Sequence, residues 1–290
     1  MQEEGEALDP GSLQTADVPL IGGRRFWIYS GLILPRAIRA TFAELEAVFR
    51  PDTHDPIGLC VVTADPGEIA DHPEAEWSDP RLLYAGYVDG RAQVRIGYFA
   101  GATIEPPGSG GQGSATPLDG SELPGYRIEP LAERDDVGEQ DVLDFWSREA
   151  ALSDEEARER VGEVVMAATD EAGELVGVSS AQLRFNEQLW MEMWHYRVFV
   201  AASQRRTHLA TALTLATREH LKARYVSGED TRAAGIVMAI QNPHLRKLDD
   251  AVWKATDFAF FGVNAGGDPV RVHYFPGATA PGPDRIGNSS

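Results

Sequence analysis

Apolar and polar positions fall into short period-two runs separated by stretches at the helical period of three and four. In the second half, "YRIEPL" at 126–131 predicts a strand. "GEQDVLDFWSREA" and "SDEEARERVGE" predict two helices, the second opened by Ser153 with Glu156 three residues on, a capping box. "EVVMAATDEAGELVGVSSAQLRF" predicts a hairpin turning at Glu171–Gly173, and "LWMEMWHYRVFVA" a long strand. A helix over 209–224 sets Leu209, Ala212, Leu213 and Ala216 on one face. The strand "AGIVMAIQN", a helix around 244–255 and the strands "DFAFFGVNA" and "PVRVHYFPG" follow. The first half reads as strand "RRFWIYSGLIL", helix "RAIRATFAELEAVFR", strand "IGLCVVTA", an acidic loop or helix at 66–78, and a hairpin centred on Asp89–Gly90. No internal repeat stands out.

The stretch 106–125, rich in Gly, Pro and Ser, buries too little to order itself and reads as a linker. It separates an N-terminal α+β domain at 20–105 from a second domain at 126–276. Residues 1–19 and 277–290 read as disordered ends. The fold class is α+β, with a mixed central sheet and flanking helices in the second domain.

Charge and cysteine content narrow the partners. A net charge of −19 argues against nucleic acid, because phosphate neutralisation needs clustered Lys and Arg. It fits a cationic partner such as an amine, or solubility alone. The single cysteine, Cys60, lies in an apolar run and reads as core, in a reducing compartment. No signal sequence, membrane-spanning run or metal-ligand spacing is found, so the expectation is a cytoplasmic protein without a metal or a membrane.

Against that acidic background, "FVAASQRRTHLATAL" stands apart. A strand ending near Ala202 meets a helix opening near Leu209, with Arg205 and Arg206 between them. The unpaired N–H groups and the dipole of a helix N-terminus make such a turn an anion cradle, best suited to a diphosphate. A solvated turn with Thr207 as a simple cap is the plainer alternative.

Arg205-Arg206-Thr207-His208-Leu209-Ala210, preceded by Val200-Ala201-Ala202, resembles the phosphate-binding motif of the GNAT superfamily of acyl-CoA-dependent N-acyltransferases. The element order over 126–276 is similar to that family as well. His208 stands where a glycine is usual, and Ala202 where a proline is common. The resemblance implies that acetyl-CoA or another acyl-CoA is the co-substrate. Main-chain groups of Arg205, Arg206, Thr207, His208, Leu209 and Ala210 would hold its pyrophosphate. The strand end Val198, Phe199 and Val200 would pair with the pantetheine amides, and Asn242 would face them; Asn242 also reads as a cap before Pro243. The acceptor would be a primary amine of a small molecule or peptide, and a homodimer is allowed.

For the base, the resemblance points to a carboxylate on the long strand, Glu192, with His195 on the opposite face as second candidate. An ion pair for Glu192 and a satisfied core position for His195 are the plainer readings. The family's usual acid, a tyrosine before a Gly-Phe step, is replaced by Trp253 ahead of Asp257-Phe258, leaving Tyr274 or His244 as substitutes. The first domain reads as a cover over the acceptor side or as a decayed copy of the same fold. Because the acid is missing, a non-catalytic acyl-CoA-binding module stands as the alternative function.

Overall fold

The computed structural model describes residues 13–18, 24–30, 35–50, 56–63, 83–88, 92–104, 123–186, 189, 191–205, 207–247, 252–253, 255–264 and 267–279. The acidic stretch 66–78, the linker 106–122 and the Asp89–Gly90 turn lie outside them. Two mixed sheets and their helices form an α+β architecture.

The first sheet has the order β1-β2-β3-β5-β4, from Gln14–Val18 (β1), Arg24–Ser30 (β2), Gly58–Thr63 (β3), Leu83–Val88 (β4) and Ala92–Tyr98 (β5), with helix α1 (Pro35–Val48) between β2 and β3. Strand β1 falls in the stretch expected to fray; pairing with β2 from Gln14↔Ile28 to Val18↔Arg24 orders it.

The second sheet has eight strands in the order β11-β12-β13-β10-β9-β8-β7-β6. They are Tyr126–Pro130 (β6), Val164–Asp170 (β7), Leu175–Asn186 (β8), Met191–Val200 (β9), Gly235–Ala239 (β10), Val252–Trp253 (β11), Phe258–Val263 (β12) and Pro269–Tyr274 (β13). Helices α2 (Glu139–Arg148) and α3 (Asp154–Arg160) join β6 to β7, and α4 (Leu209–Val226) joins β9 to β10. The capping box forms: Ser153 Oγ accepts from Glu156 N, and the Glu156 side chain accepts from Ser153 N. The β7–β8 turn closes on Asp170, whose carboxylate accepts from Ala172 N and Glu174 N.

The helix expected around 244–255 is replaced by a single 3-10 turn at Leu245–Lys247 and the short strand β11. Asn242 O accepts from both Leu245 N and Arg246 N, and Asn242 Oδ1 from His244 N, which closes a tight turn after Pro243. Val252 and Trp253 then pair with Ala259 and Phe258 instead of continuing a helix.

The structure also contains a repeat, which the sequence offered only as one of two readings of the first domain. Strands β1, β2, β3, β5 and β4 have the order, polarity and connections of β8, β9, β10, β13 and β12. In both, the first pair is antiparallel, the second parallel across a helix, and the last two antiparallel. Trp27↔Leu59 in one corresponds to Trp194↔Ile236 in the other, and Gly58↔Tyr98 to Gly235↔Tyr274. Each copy breaks register at the same place, before Gly86 and before Gly262; bulges of this kind are structural features rather than accidents. The sequences agree where the registers do: "VRIGYFAGAT" from Val94 and "VRVHYFPGAT" from Val270.

The copies meet counterpart to counterpart, as in a two-fold dimer. Tyr98 packs edge-on against Tyr274, Thr103 bridges to Thr279, and β4 lies beside β12. One apolar core runs through the junction, joining Phe26, Leu59 and Ile96 to Met193, Val237 and Val272. Cys60 belongs to it, and burial pushes its thiol up to about 12, which leaves it a core residue. On the other face of the second sheet, α4 packs on β8 and β9 through Leu209 and Leu213, and hydroxyl pairs fix its height: Ser179 Oγ with Thr217 Oγ1 at 2.6 Å and Tyr196 Oη with Thr214 Oγ1 at 3.0 Å.

Candidate functional site

Strands β9 and β10 run parallel but touch over only two register pairs, Ile236↔Trp194 and Val237↔His195. Beyond His195 they diverge. Strand β9 stays paired to β8 through Val200↔Gly177, so its far edge opens. Ala201 N donates to Val176 O on the β8 side, whereas Glu192 O accepts from Ala234 N on the β10 side. Main-chain groups alternate along a strand, so Val198 and Val200 direct their N–H and C=O groups into the gap.

A cavity of about 690 Å³ occupies this gap. Val198, Ala210, Thr211, Thr214 and Tyr196 bound it on the α4 face; Trp146, Leu152, Arg160, Ser180 and Arg197 bound it on the α2–α3 face. Met238 through Asn242, with Trp253 and Thr256, complete the wall toward β10. Among these described residues there is no Asp, Glu or His.

At the mouth, a 3-10 turn over Ala202–Gln204 leads through Arg205 to α4. Glu149 holds its start by accepting from Ala202 N, and Tyr126 donates to Gln204 Oε1. Thr207 turns back to donate to Gln204 O, so it does not cap the helix. His208 is the N-cap residue, with φ 63 and no side-chain cap bond. The first helical carbonyl engaged is His208 O, by Ala212 N. The N–H groups of Leu209, Ala210 and Thr211 therefore have no partner within the helix, and Ala210 and Thr211 lie in the cavity wall.

The residues singled out from the sequence divide into three groups. Val198, Phe199, Ala210 and Asn242 line the cavity, and Val200, exposed Arg205, Thr207 and His208 lie on the strand end and turn that join lining residue Phe199 to lining residue Ala210. Leu209 is fully buried under the sheet, contributing its N–H alone. Arg206 lies outside the described residues. Glu192 is exposed and sits six residues before Val198, on the strand section still paired to β10. His195 stands at the vertex of the gap; its Nε2 is buried without a partner, and burial, then the charges of Arg184 and Arg197, hold its pKa below the usual value. Tyr274 is at 1% exposure inside the junction between the copies, where the phenol of Tyr98 faces it, and does not line the cavity.

Sequence reasoning missed Thr256 and Arg160 as wall residues. Tyr196, which alternation sets on the strand face of Val198 and which the sequence offers as an aromatic that could hold a cationic acceptor, does line the wall. Arg160 ends a helix distant in sequence, and only the packing of α3 on the sheet brings it here. Trp253 lines the wall with Nε1 unpartnered and the Arg271 guanidinium 4.0 Å above its ring; Thr256 Oγ1 is also buried without a partner. Asp257, ahead of Phe258, has φ 55, so both positions at which the motif expects glycine hold left-handed backbone.

No protein-family model matches the chain. No curated protein matches it. Among solved structures, it is similar to a GNAT-family acetyltransferase from Streptococcus pneumoniae, at 11% identity and TM-score 0.33, over 51% of this chain and 96% of that one. A GNAT-family acetyltransferase from Brucella melitensis in complex with acetyl-CoA shows 14% identity and TM-score 0.32, over 55% and 96%. A bacterial toxin shows 16% identity and TM-score 0.34, over 45% and 76%. At likenesses this weak, the chain's own geometry has to carry the functional reading. Among the described residues, no helix is long and apolar enough to cross a membrane, and no three metal-ligating side chains gather.

Proposed function

We propose that the chain is an acyl-CoA-dependent N-acyltransferase, moving an acyl group to a primary amine. One observation carries this reading: an unpaired strand edge opens onto an uncapped helix N-terminus with Arg205 at its lip. The N–H groups of Leu209 to Thr211 supply donors for a pyrophosphate. Val198 and Val200 offer main-chain donors and acceptors to a pantetheine arm as a further strand would. Asn242 Oδ1 is engaged by His244 N, which leaves its amide NH₂ as the group offered to the cleft.

In the reaction, the ammonium loses one proton, the amine nitrogen bonds the acyl carbon, the C–S bond breaks, and the second nitrogen proton leaves with the thiolate as free thiol. His195, at the vertex and held neutral, is the better placed base, working through water. The phenol of Tyr196 lies in the cavity wall, but burial raises its pKa and its O–H is given to Thr214 Oγ1, so it is assigned no proton transfer. Glu192 and Tyr274 are given no step.

The absence of an acid or a histidine from the described wall favours a second reading, an acyl-CoA-binding module without turnover. Free-thiol release from acetyl-CoA across a panel of amines decides between them. Coenzyme A should raise the melting temperature of the protein, and Arg205→Glu should weaken its binding about tenfold with the apo melt unchanged. Unaltered affinity in that variant would rule out the phosphate cradle.

A further inference from the structure

The cavity's α2–α3 face has a charge character opposite to that of the whole chain. The protein carries a net charge of −19, yet the charged residues among the described cavity wall are Arg160 and Arg197. Arg197 projects from β9 beside Ser180 of β8, and His195 beside Gln182, on the same face of the sheet. Arg184 lies further along that face. The charges interact: burial first, then Arg160, lower the Arg197 pKa.

Each arginine has a partner, but a loose one. Arg160 meets Glu156 at 3.6 Å with half of the Glu156 side chain in solvent, and Arg197 meets Glu163 at 3.4 Å. The Glu163 side chain is largely buried, but both contacts are long and single and each guanidinium is partly in solvent, so either can exchange its partner for a better-aligned carboxylate. Beside them the wall is apolar, built by Trp146, Ala151, Leu152 and Phe199. A simple alkylammonium would meet two repelling cations and, among the described residues of this wall, no counter-charge.

Resting on the acyltransferase reading, we infer that the acceptor is an apolar α-amino acid or a close analogue, its carboxylate held by Arg160 and Arg197 and its side chain against Trp146 and Leu152. The carboxylate then anchors the molecule with its amine directed toward the gap, where His195 stands. The overall acidity of the chain, which from sequence suggested a cationic partner, does not extend to the described residues of the cavity wall.

The test is calorimetric titration of the full chain, with and without coenzyme A, using phenylalanine and phenethylamine, which differ by the carboxylate. Phenylalanine should bind at least about tenfold tighter, the scale of one charge-assisted pair. Arg197→Gln and Arg160→Gln should each bring the ratio of the two affinities close to one, and Arg197→Lys should restore part of it, all with an unchanged melting temperature. Equal affinities in the native protein, tighter phenethylamine, or no binding of either would overturn the inference. A protein that binds phenylalanine selectively but never coenzyme A would instead overturn the acyltransferase reading and leave this site standing.

Discussion

The two copies of the β-α-β frame differ most where they should be most alike. In the first, β2 and β3 stay paired through four positions, Trp27↔Leu59 to Ser30↔Val62. In the second, pairing stops after two, and the counterparts of Tyr29↔Val61 and Ser30↔Val62, at Tyr196 and Arg197, face a cavity. The strand-to-helix connections differ too: residues 31–34 in the first against residues 201–208 in the second. The extra residues in the second include the 3-10 turn, Arg205 and the αL residue His208. A site on this frame therefore comes from register and turn length; the strand order is common to both. The closed copy supplies packing: its apolar face covers Met191 and Met193 at the start of β9, and so sets the strand whose other end opens.

The equivalence of the copies can be broken most severely at their paired glycines. A Cβ on Gly58 would lie 2.0 Å from Gly97 O, and one on Gly235 would lie 2.2 Å from His273 O. The obstacle in each case is a main-chain carbonyl inside a sheet, which cannot swing aside. Gly58→Ala and Gly235→Ala should each cost at least about 3 kcal/mol of stability, read from urea denaturation. Similar losses in both would establish that the halves unfold as one body around a shared core. A small loss at Gly58 alone would show the first copy to be dispensable.

A second difference sharpens the comparison through pH. Position 97 is glycine in the first copy, and its counterpart is His273, buried at 4% exposure. Burial, then the charge of Arg218, lower the His273 pKa to about 4 from an ordinary 6.5. The unfolded chain takes up a proton below pH 6.5 that the folded chain refuses until about pH 4, so folding stability is full above 6.5 and falls as pH drops. From pH 7 to pH 5 this group alone should remove about 2 kcal/mol. His273→Phe should flatten the slope by about one proton. An unaltered slope would mean that His273 is protonated in the fold or that its site hydrates.

Much of the fold is legible from pattern. Alternation and helical spacing locate most strands and helices in the second half, and the capping box at Ser153 forms as expected. The repeat stayed one of two readings of the first domain because the connecting loops differ in length between copies, so no constant period runs along the chain, and because identity is concentrated in isolated runs such as "VRIGYFAGAT" against "VRVHYFPGAT". The helix expected at 244–255 failed because a local turn centred on Asn242 and cross-strand pairing of Trp253 outweigh propensity. The mouth of the site was legible, since helix N-termini follow from local sequence. Its far wall was not: Arg160 and Trp146 reach the cavity through tertiary packing that carries no sequence period.

The smallest expected effect concerns the residue that most sets the open copy's turn apart. His208 occupies φ 63 with no cap bond to offset it. For a residue with a Cβ that backbone costs about 1–2 kcal/mol, whereas glycine loses about 0.4–1 kcal/mol through the greater freedom of the unfolded chain. His208→Gly should therefore stabilise the protein by about 0.5 kcal/mol. It should also let the main chain approach a phosphate more closely, so coenzyme A affinity should hold or rise a few-fold. Thermal denaturation and titration with coenzyme A read the two effects separately. A stable variant that binds more weakly would show that the imidazole itself contacts the ligand, and that the glycine usual at this turn has been exchanged for a side chain with a part in binding.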